Sequence, residues 1–215
     1  MPKYSILERL ENTEVYPKHY TARDYFNLPE GAPYQLIEGE LIMSPSPLTE
    51  HQIISKNLEL LIYTHVKKNN IGLALNAPID VYLNIRNAFQ PDIIFISNEN
   101  KNIIKKHGID GSPDLVIEIL SPSNSYYDVK VKKEIYERSG VKEYLMVDPR
   151  TKTVDKYGRT EEIEKGRVKN KNISNYTKLN KLFNEVTSLN AQNNEKIFIK
   201  TLGLKIELKD IFEGV

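Results

Sequence analysis

Apolar positions along this chain switch between two spacings. From about Leu48 to Lys68, Ile54, Leu58, Leu61, Ile62 and His65 or Val66 recur every three or four residues, which predicts an amphipathic helix broken by Gly72. Tyr127 to Ser139 reads as a second helix, closed by Gly140 as a C-cap. A shorter helix is expected from Thr21-Ala22-Arg23-Asp24, a capping-box pattern with Asp in place of Glu, and ends near Leu28-Pro29.

The remaining apolar runs are short and strand-like. Tyr34 to Glu38, Gly39, then Glu40 to Met43 predicts strand, tight turn, strand, stopped by Ser44-Pro45-Ser46-Pro47. Leu73 to Leu75 and Ile79 to Leu83 are strand candidates. Pro91-Asp92-Ile93-Ile94-Phe95-Ile96 and Asp114 to Leu120 are nearly continuous apolar runs of the buried-strand type. Asn98 to His107 is lysine-rich and reads as a loop with a short helix. Val141 to Val147 and Thr153 to Tyr157 complete a strand–helix–strand order that implies an α/β fold with a mixed β-sheet flanked by helices. From about 161 to 195 the chain turns to Lys, Asn and Glu. This stretch reads as a polar insertion outside the core, with a weak helical pattern around Leu179 to Val186. Ile197 to Leu208 returns to strand character, and Asp210 to Phe212 suggests a last helical turn.

Composition bounds the function. A length of 215 residues suits a single domain, residues 1–215, with the 161–195 insertion inside it. Thirty basic and 29 acidic residues leave a formal charge of +1, so nucleic-acid binding would have to come from a local patch. The absence of cysteine excludes disulfides, thiolate zinc sites and a cysteine nucleophile. The N-terminus lacks a signal-peptide core, and no apolar run reaches the roughly 18 residues of a membrane span. A cytoplasmic location is expected.

Two acids stand out because they sit in apolar strands. Glu118 has Val116 and Leu120 on its own face and Ile117 and Ile119 on the other, where an ionised carboxylate is costly unless something positive meets it. Asp92 stands at the mouth of a similar strand. One such acid suits a buried ion pair; two suit a shared cation held by hard oxygen ligands. Lys132 falls three residues after Val129 and four before Tyr136, on one helical stripe. Lys130 and Lys133 compete with it, and periodicity does not choose among the three. Glu40 and His51 are weaker candidates that reach the site only if the first long helix packs beside the acidic strands.

Several segments together resemble the Uma-two family of restriction endonucleases. They are Tyr34 to Met43 with the Ser-Pro-Ser-Pro that follows and His51-Gln52; Gln90-Pro91-Asp92; and Pro113 to Ser123. The closing block has Tyr127-Asp128, Lys132, Tyr136, Gly140-Val141, Glu143-Tyr144 and Val147-Asp148-Pro149. The resemblance spans roughly residues 20 to 158. It implies a restriction endonuclease-like fold of the PD-(D/E)XK type. It also implies Asp92 and Glu118 as ligands of Mg2+ (or Mn2+), DNA as substrate hydrolysed at its phosphodiester bonds, and a homodimer. The usual lysine position two residues after the Glu is occupied by Leu120; Lys132 matches the family's displaced lysine, and Glu40 its auxiliary acid. Leu120 is also the feature that favours the alternative, a non-catalytic nucleic-acid- or protein-binding member. A purely structural reading expects an Arg or Lys against each acid.

Overall fold

The computed structural model describes residues 19–44, 46–121, 126–159, 183 and 185–215. Two six-stranded mixed sheets and one hairpin make up its β structure.

The chain opens with α1 (Ala22–Phe26), whose N-cap Thr21 and N3 residue Asp24 form the expected capping box. Strands β1 (Tyr34–Ile37) and β2 (Glu40–Met43) form the expected hairpin, with Ile37 opposite Glu40. Its two-residue turn, Glu38-Gly39, needs positive φ at both positions, +50° and +86°. Helix α2 (Thr49–Asn69) follows. It is stopped by Asn70 in the left-handed conformation; Gly72 lies within β3 (Gly72–Asn76), where a Cβ would stand 2.1 Å from the Ile96 carbonyl oxygen. Then come β4 (Val81–Asn84), β5 (Asn87–Phe89) and β6 (Ile93–Ser97). The polar loop after β6 holds one 3-10 turn at Lys101–Ile103 and the short hairpin β7 (Ile104–Lys105) and β8 (Gly108–Asp110). Strand β9 (Leu115–Ile119) leads to α3 (Tyr126–Ser139), β10 (Glu143–Asp148) and β11 (Thr153–Gly158). After the polar segment come β12 (Glu185–Asn190), β13 (Lys196–Ile199), β14 (Leu204–Glu207) and α4 (Leu208–Ile211).

The sheet that matters for function runs β12-β11-β10-β9-β6-β3. Strand β9 lies at its centre, antiparallel to β6 and parallel to β10. A parallel neighbour requires a crossover, and α3 provides it. Alternation along β9 then decides which residue meets which helix. Leu115, Ile117 and Ile119 pack with Ile54, Leu58, Ile62 and Val66 of α2 and with the β13–β14 hairpin. Val116 packs on the opposite face with Ile135 and Tyr136 of α3. Glu118 shares that second face, in a layer otherwise built of fully buried apolar side chains.

Two expectations change. In place of one mixed sheet there are two, because β1, β2, β4, β5, β7 and β8 pair among themselves. The polar segment also ends earlier than expected. Residues 160–182 and 184 lie outside the described residues, but Glu185–Asn190 is a strand paired along its length with β11, so this part belongs to the sheet. Leu189 and Ala191 pack against the core, which explains why the stretch is strand, where its Lys/Asn/Glu composition and weak helical pattern suggested otherwise. Among the described residues, no helix is long and apolar enough to cross a membrane.

Candidate active site

Asp92, Glu118, Lys132 and His51 line one cavity of about 430 Å³. Strand register brings the two acids there. Ile93 pairs with Ile117, so Asp92 and Glu118 flank that pair at the same end of adjacent antiparallel strands.

Glu118 is 6% exposed, and its carboxylate is fully engaged. Lys132 Nζ donates to Oε1 at 3.0 Å and Oε2 at 3.2 Å, and the Tyr136 hydroxyl donates to Oε1 at 2.6 Å. Lys132 and Tyr136 stand one turn apart on α3 and reach the acid together. The ammonium of Lys132 also lies 5.5 Å from the centre of the Phe89 ring, whose face attracts a cation. Burial pushes the Glu118 carboxyl above its ordinary range, and the charge of Asp92 adds to this. The Lys132 charge and the Tyr136 hydrogen bond oppose the shift without cancelling it. Burial and the Glu118 charge in turn push the Tyr136 hydroxyl well upward, which keeps it a donor.

Asp92 is held differently. Its Oδ2 accepts the backbone N–H of Ile119 at 2.7 Å, and its Oδ1 lies 3.2 Å from His51 Nε2. Burial pulls the His51 pKa down, but the Asp92 carboxylate, the Glu118 charge and the Ile119 backbone outweigh it and raise it. The second ring nitrogen, Nδ1, is buried and has no hydrogen-bond partner among the described residues.

Lys132 enters the cavity, whereas Lys133 lies over the Tyr157 ring at 4.7 Å and Lys130 is exposed. Periodicity could not make this choice; the family resemblance did. His51 is drawn in because α2 packs on the sheet with its first turns beside the acidic strands. Glu40 is not drawn in. By alternation it shares the face of Ile42, which lines the cavity, but it sits beside the hairpin turn and is exposed. Tyr136 is the partner that sequence reasoning named as a mark of the helical stripe and a match to the family's closing block, without a role at the site. Its four-residue spacing from Lys132 was the available signal.

Among the described residues, no three His, Asp or Glu side chains form a finished metal-ligand cluster. The residues present nonetheless suit the divalent cation that the fold family implies. Two carboxylates from adjacent strands supply hard oxygen, and His51 brings its Nε2 to 3.2 Å from Asp92 Oδ1 at the same cavity.

Comparison with known proteins bears on the fold and the family. A crystal structure of a "putative nuclease belonging to DUF820" from Anabaena variabilis ATCC 29413 superposes with a TM-score of 0.69, covering 89% of this chain and 97% of that one at 22% sequence identity. At that identity the likeness establishes the restriction endonuclease-like fold. No curated protein matches the sequence. Residues 22–205 match the Uma2 family, described as "Putative restriction endonuclease". The chain belongs to the Uma2 family.

Proposed function

We propose that the protein is a Mg2+-dependent endonuclease that hydrolyses phosphodiester bonds of DNA at the Asp92–Glu118 cavity. One observation carries the reading: two carboxylates from adjacent strands line one cavity together with a buried lysine that is paired to Glu118. Membership of a family described as restriction endonucleases supports it.

Asp92 and Glu118 would hold the cation, which when bound supplies an activated water and charge stabilisation at the phosphate. The chain's own groups do the positioning. The Ile119 N–H fixes one oxygen of Asp92 and leaves the other toward His51. Tyr136 fixes Glu118 from the α3 side. Lys132, buried beside Glu118, would neutralise charge on a phosphate in a water-poor wall, where such an interaction is stronger than in bulk water. Leu120, two residues after Glu118 where the PD-(D/E)XK pattern usually has its lysine, lines the cavity and supplies no charge there.

The Lys132–Glu118 contact also favours a second reading, a structural ion pair in a non-catalytic member. Asp92 departs from that reading, since it meets a histidine and a backbone amide in place of a lysine or arginine.

Incubation of plasmid DNA with purified protein and Mg2+ or Mn2+ separates the two. The parent cleaves, EDTA stops it and added Mg2+ restores it, while Asp92→Ala and Glu118→Ala, purified identically and folded, do not cleave. Lys132→Ala retains metal binding and cleaves slowly. Equal cleavage by parent and variants would mark a contaminant. A folded parent that binds metal and DNA but cleaves neither DNA nor RNA would support the non-catalytic reading.

A further inference from the structure

A second cavity of about 430 Å³ lies apart from the acidic residues, between α1, β4 and the β7–β8 hairpin. Three rings line it. Phe26, Tyr82 and His107 meet edge to face, with centroids 5.6 to 6.5 Å apart and planes at 60° to 80°. Such a trio could simply seal α1 against its sheet, but Tyr25 already does so. It is 6% exposed and packs with Leu36 and Ala88, whereas its neighbour Phe26 is 57% exposed and lies outside that cluster. Phe26 and His107 are thus aromatic surface beyond what the fold uses.

Two charged side chains of the cavity wall are equally unspent. Arg23 and Asp110 both line it, and among the described residues neither side chain has an ion pair or hydrogen bond. Lys105 and Lys106, both exposed, immediately precede His107 on the β7–β8 turn. The overall charge of +1 makes this local basic surface the more notable. The cavity is also tied to the acidic one. The Tyr82 hydroxyl donates to Asp80 Oδ2 at 3.4 Å, and Asp80 Oδ1 accepts from Gln90 Nε2 at 2.9 Å. Gln90 in turn lines the acidic cavity.

Aromatic faces and edges beside cationic side chains are the chemistry that holds a single-stranded nucleic acid: bases stack on rings, and phosphates meet Arg and Lys. A carboxylate at the same place accepts from an exocyclic amino group. We propose that this cavity takes one unstacked nucleotide of the substrate strand, outside the bond to be cut. The base packs against Phe26, Tyr82 and His107, the phosphate meets Arg23, and Asp110 selects a base that bears an amino group. Arg23 argues against a cationic ligand, the other common occupant of an aromatic cage. This inference rests on the nucleic-acid reading of the acidic cavity.

Fluorescence anisotropy of labelled oligo-dC and oligo-dT tests it, using the full chain in EDTA so that nothing is cut. The parent binds both and prefers dC. Phe26→Ala weakens binding by roughly 5- to 150-fold, the loss of one base stack, while Phe26→Trp retains it. Asp110→Ala removes the preference for dC. An abasic substitution in the oligonucleotide weakens the parent and leaves Phe26→Ala unaffected at the best-placed position. If the parent binds and Phe26→Ala binds equally well, the second cavity is not a nucleotide site and the acidic-cavity reading stands. If the parent binds no single strand, yet cleaves duplex DNA, this inference alone falls. If it neither binds nor cleaves any nucleic acid, both fall.

Discussion

The two ends of β9 each bury a carboxylate, and the two are satisfied in opposite ways. At the start, Asp114 Oδ2 accepts the Ser97 N–H at 2.7 Å and the Asn100 amide at 3.3 Å, while Oδ1 meets the exposed Lys142 at 2.6 Å. Nearby Glu143 is used in the same manner, accepting the N–H groups of Lys200 and Thr201 at 2.9 and 2.6 Å. At the far end, Glu118 takes its hydrogen bonds from the side chains of Lys132 and Tyr136 and faces a cavity. With one backbone amide and two side chains on it, Asp114 is locked in place once the fold forms. Glu118, held by side chains alone beside open volume, can exchange those partners for a ligand. Their pKa shifts differ in sign as well. Burial pushes Asp114 upward, but Lys142 and the Ser97 N–H outweigh it and the net shift is down; Glu118 goes up.

The largest expected effect separates the two acids by function. Asp92→Asn and Glu118→Gln should lower DNA cleavage by about three orders of magnitude, since each would remove a ligand of the proposed cation. Asp114→Ala should leave kcat within a few-fold when assayed below its unfolding temperature. Steady-state rates on plasmid DNA, with circular dichroism as a fold control, make the comparison. Comparable losses in all three would erase the distinction.

Tyr136→Phe tests whether side-chain partners matter at the cavity end. It removes one hydrogen bond to Glu118 and keeps the ring. Cleavage or metal affinity should fall by about 10- to 100-fold, the usual cost of losing a group that orients a ligand. An unchanged Mn2+ affinity and rate would show that Lys132 alone orients the acid.

Stability should show the reverse ranking. Asp114→Ala strands the half-buried Ser97 N–H, at a cost of about 1–3 kcal/mol. For a chain of this size, each kcal/mol lowers Tm by roughly 2–4 °C. Because the folded-state pKa of Asp114 lies below its ordinary 3.8, its contribution is present above that pH and is lost as the pH falls through the folded value. Denaturant melts between pH 7 and 3 should therefore show the parent losing its advantage over Asp114→Ala at the acid end. A gap between the two that does not change with pH would refute the assignment.

The smallest effect belongs to Glu40. Exposed and away from the cavity, Glu40→Gln should change stability by no more than about 0.5 kcal/mol and leave cleavage unchanged. A large loss of activity would restore it to the site.

The same contrast explains what the sequence could and could not reveal. Asp114 and Glu118 lie in one apolar run, Asp-Leu-Val-Ile-Glu-Ile, and nothing in that run distinguishes a backbone-bound acid from a cavity acid. The strands themselves were legible because β6 and β9 are buried on both faces and read as unbroken apolar segments. β5 was missed: Asn87-Ala88-Phe89 is too short to show a period. β12 was missed because its pairing with β11, a tertiary contact, overrides its polar surroundings. Within the site, Asp92 and Glu118 were visible as acids among aliphatic residues. The choice of Lys132 over its neighbours came from resemblance to the family. His51 needed the packing of α2, which periodicity predicts as a helix but does not orient on the sheet. Glu40 was carried over from the family pattern, and its place beside the turn is set by the hairpin register.

On the proposed function, the cavity end of β9 holds a divalent cation and the Asp114 end does not. Titration of Mn2+ into the protein, followed by the loss of the free-ion electron paramagnetic resonance signal, tests this without relying on turnover. The parent and Asp114→Ala should each bind about one equivalent per chain, and Glu118→Gln should bind at least about 100-fold more weakly. Equal binding by all three proteins, or none by the folded parent, would contradict the account.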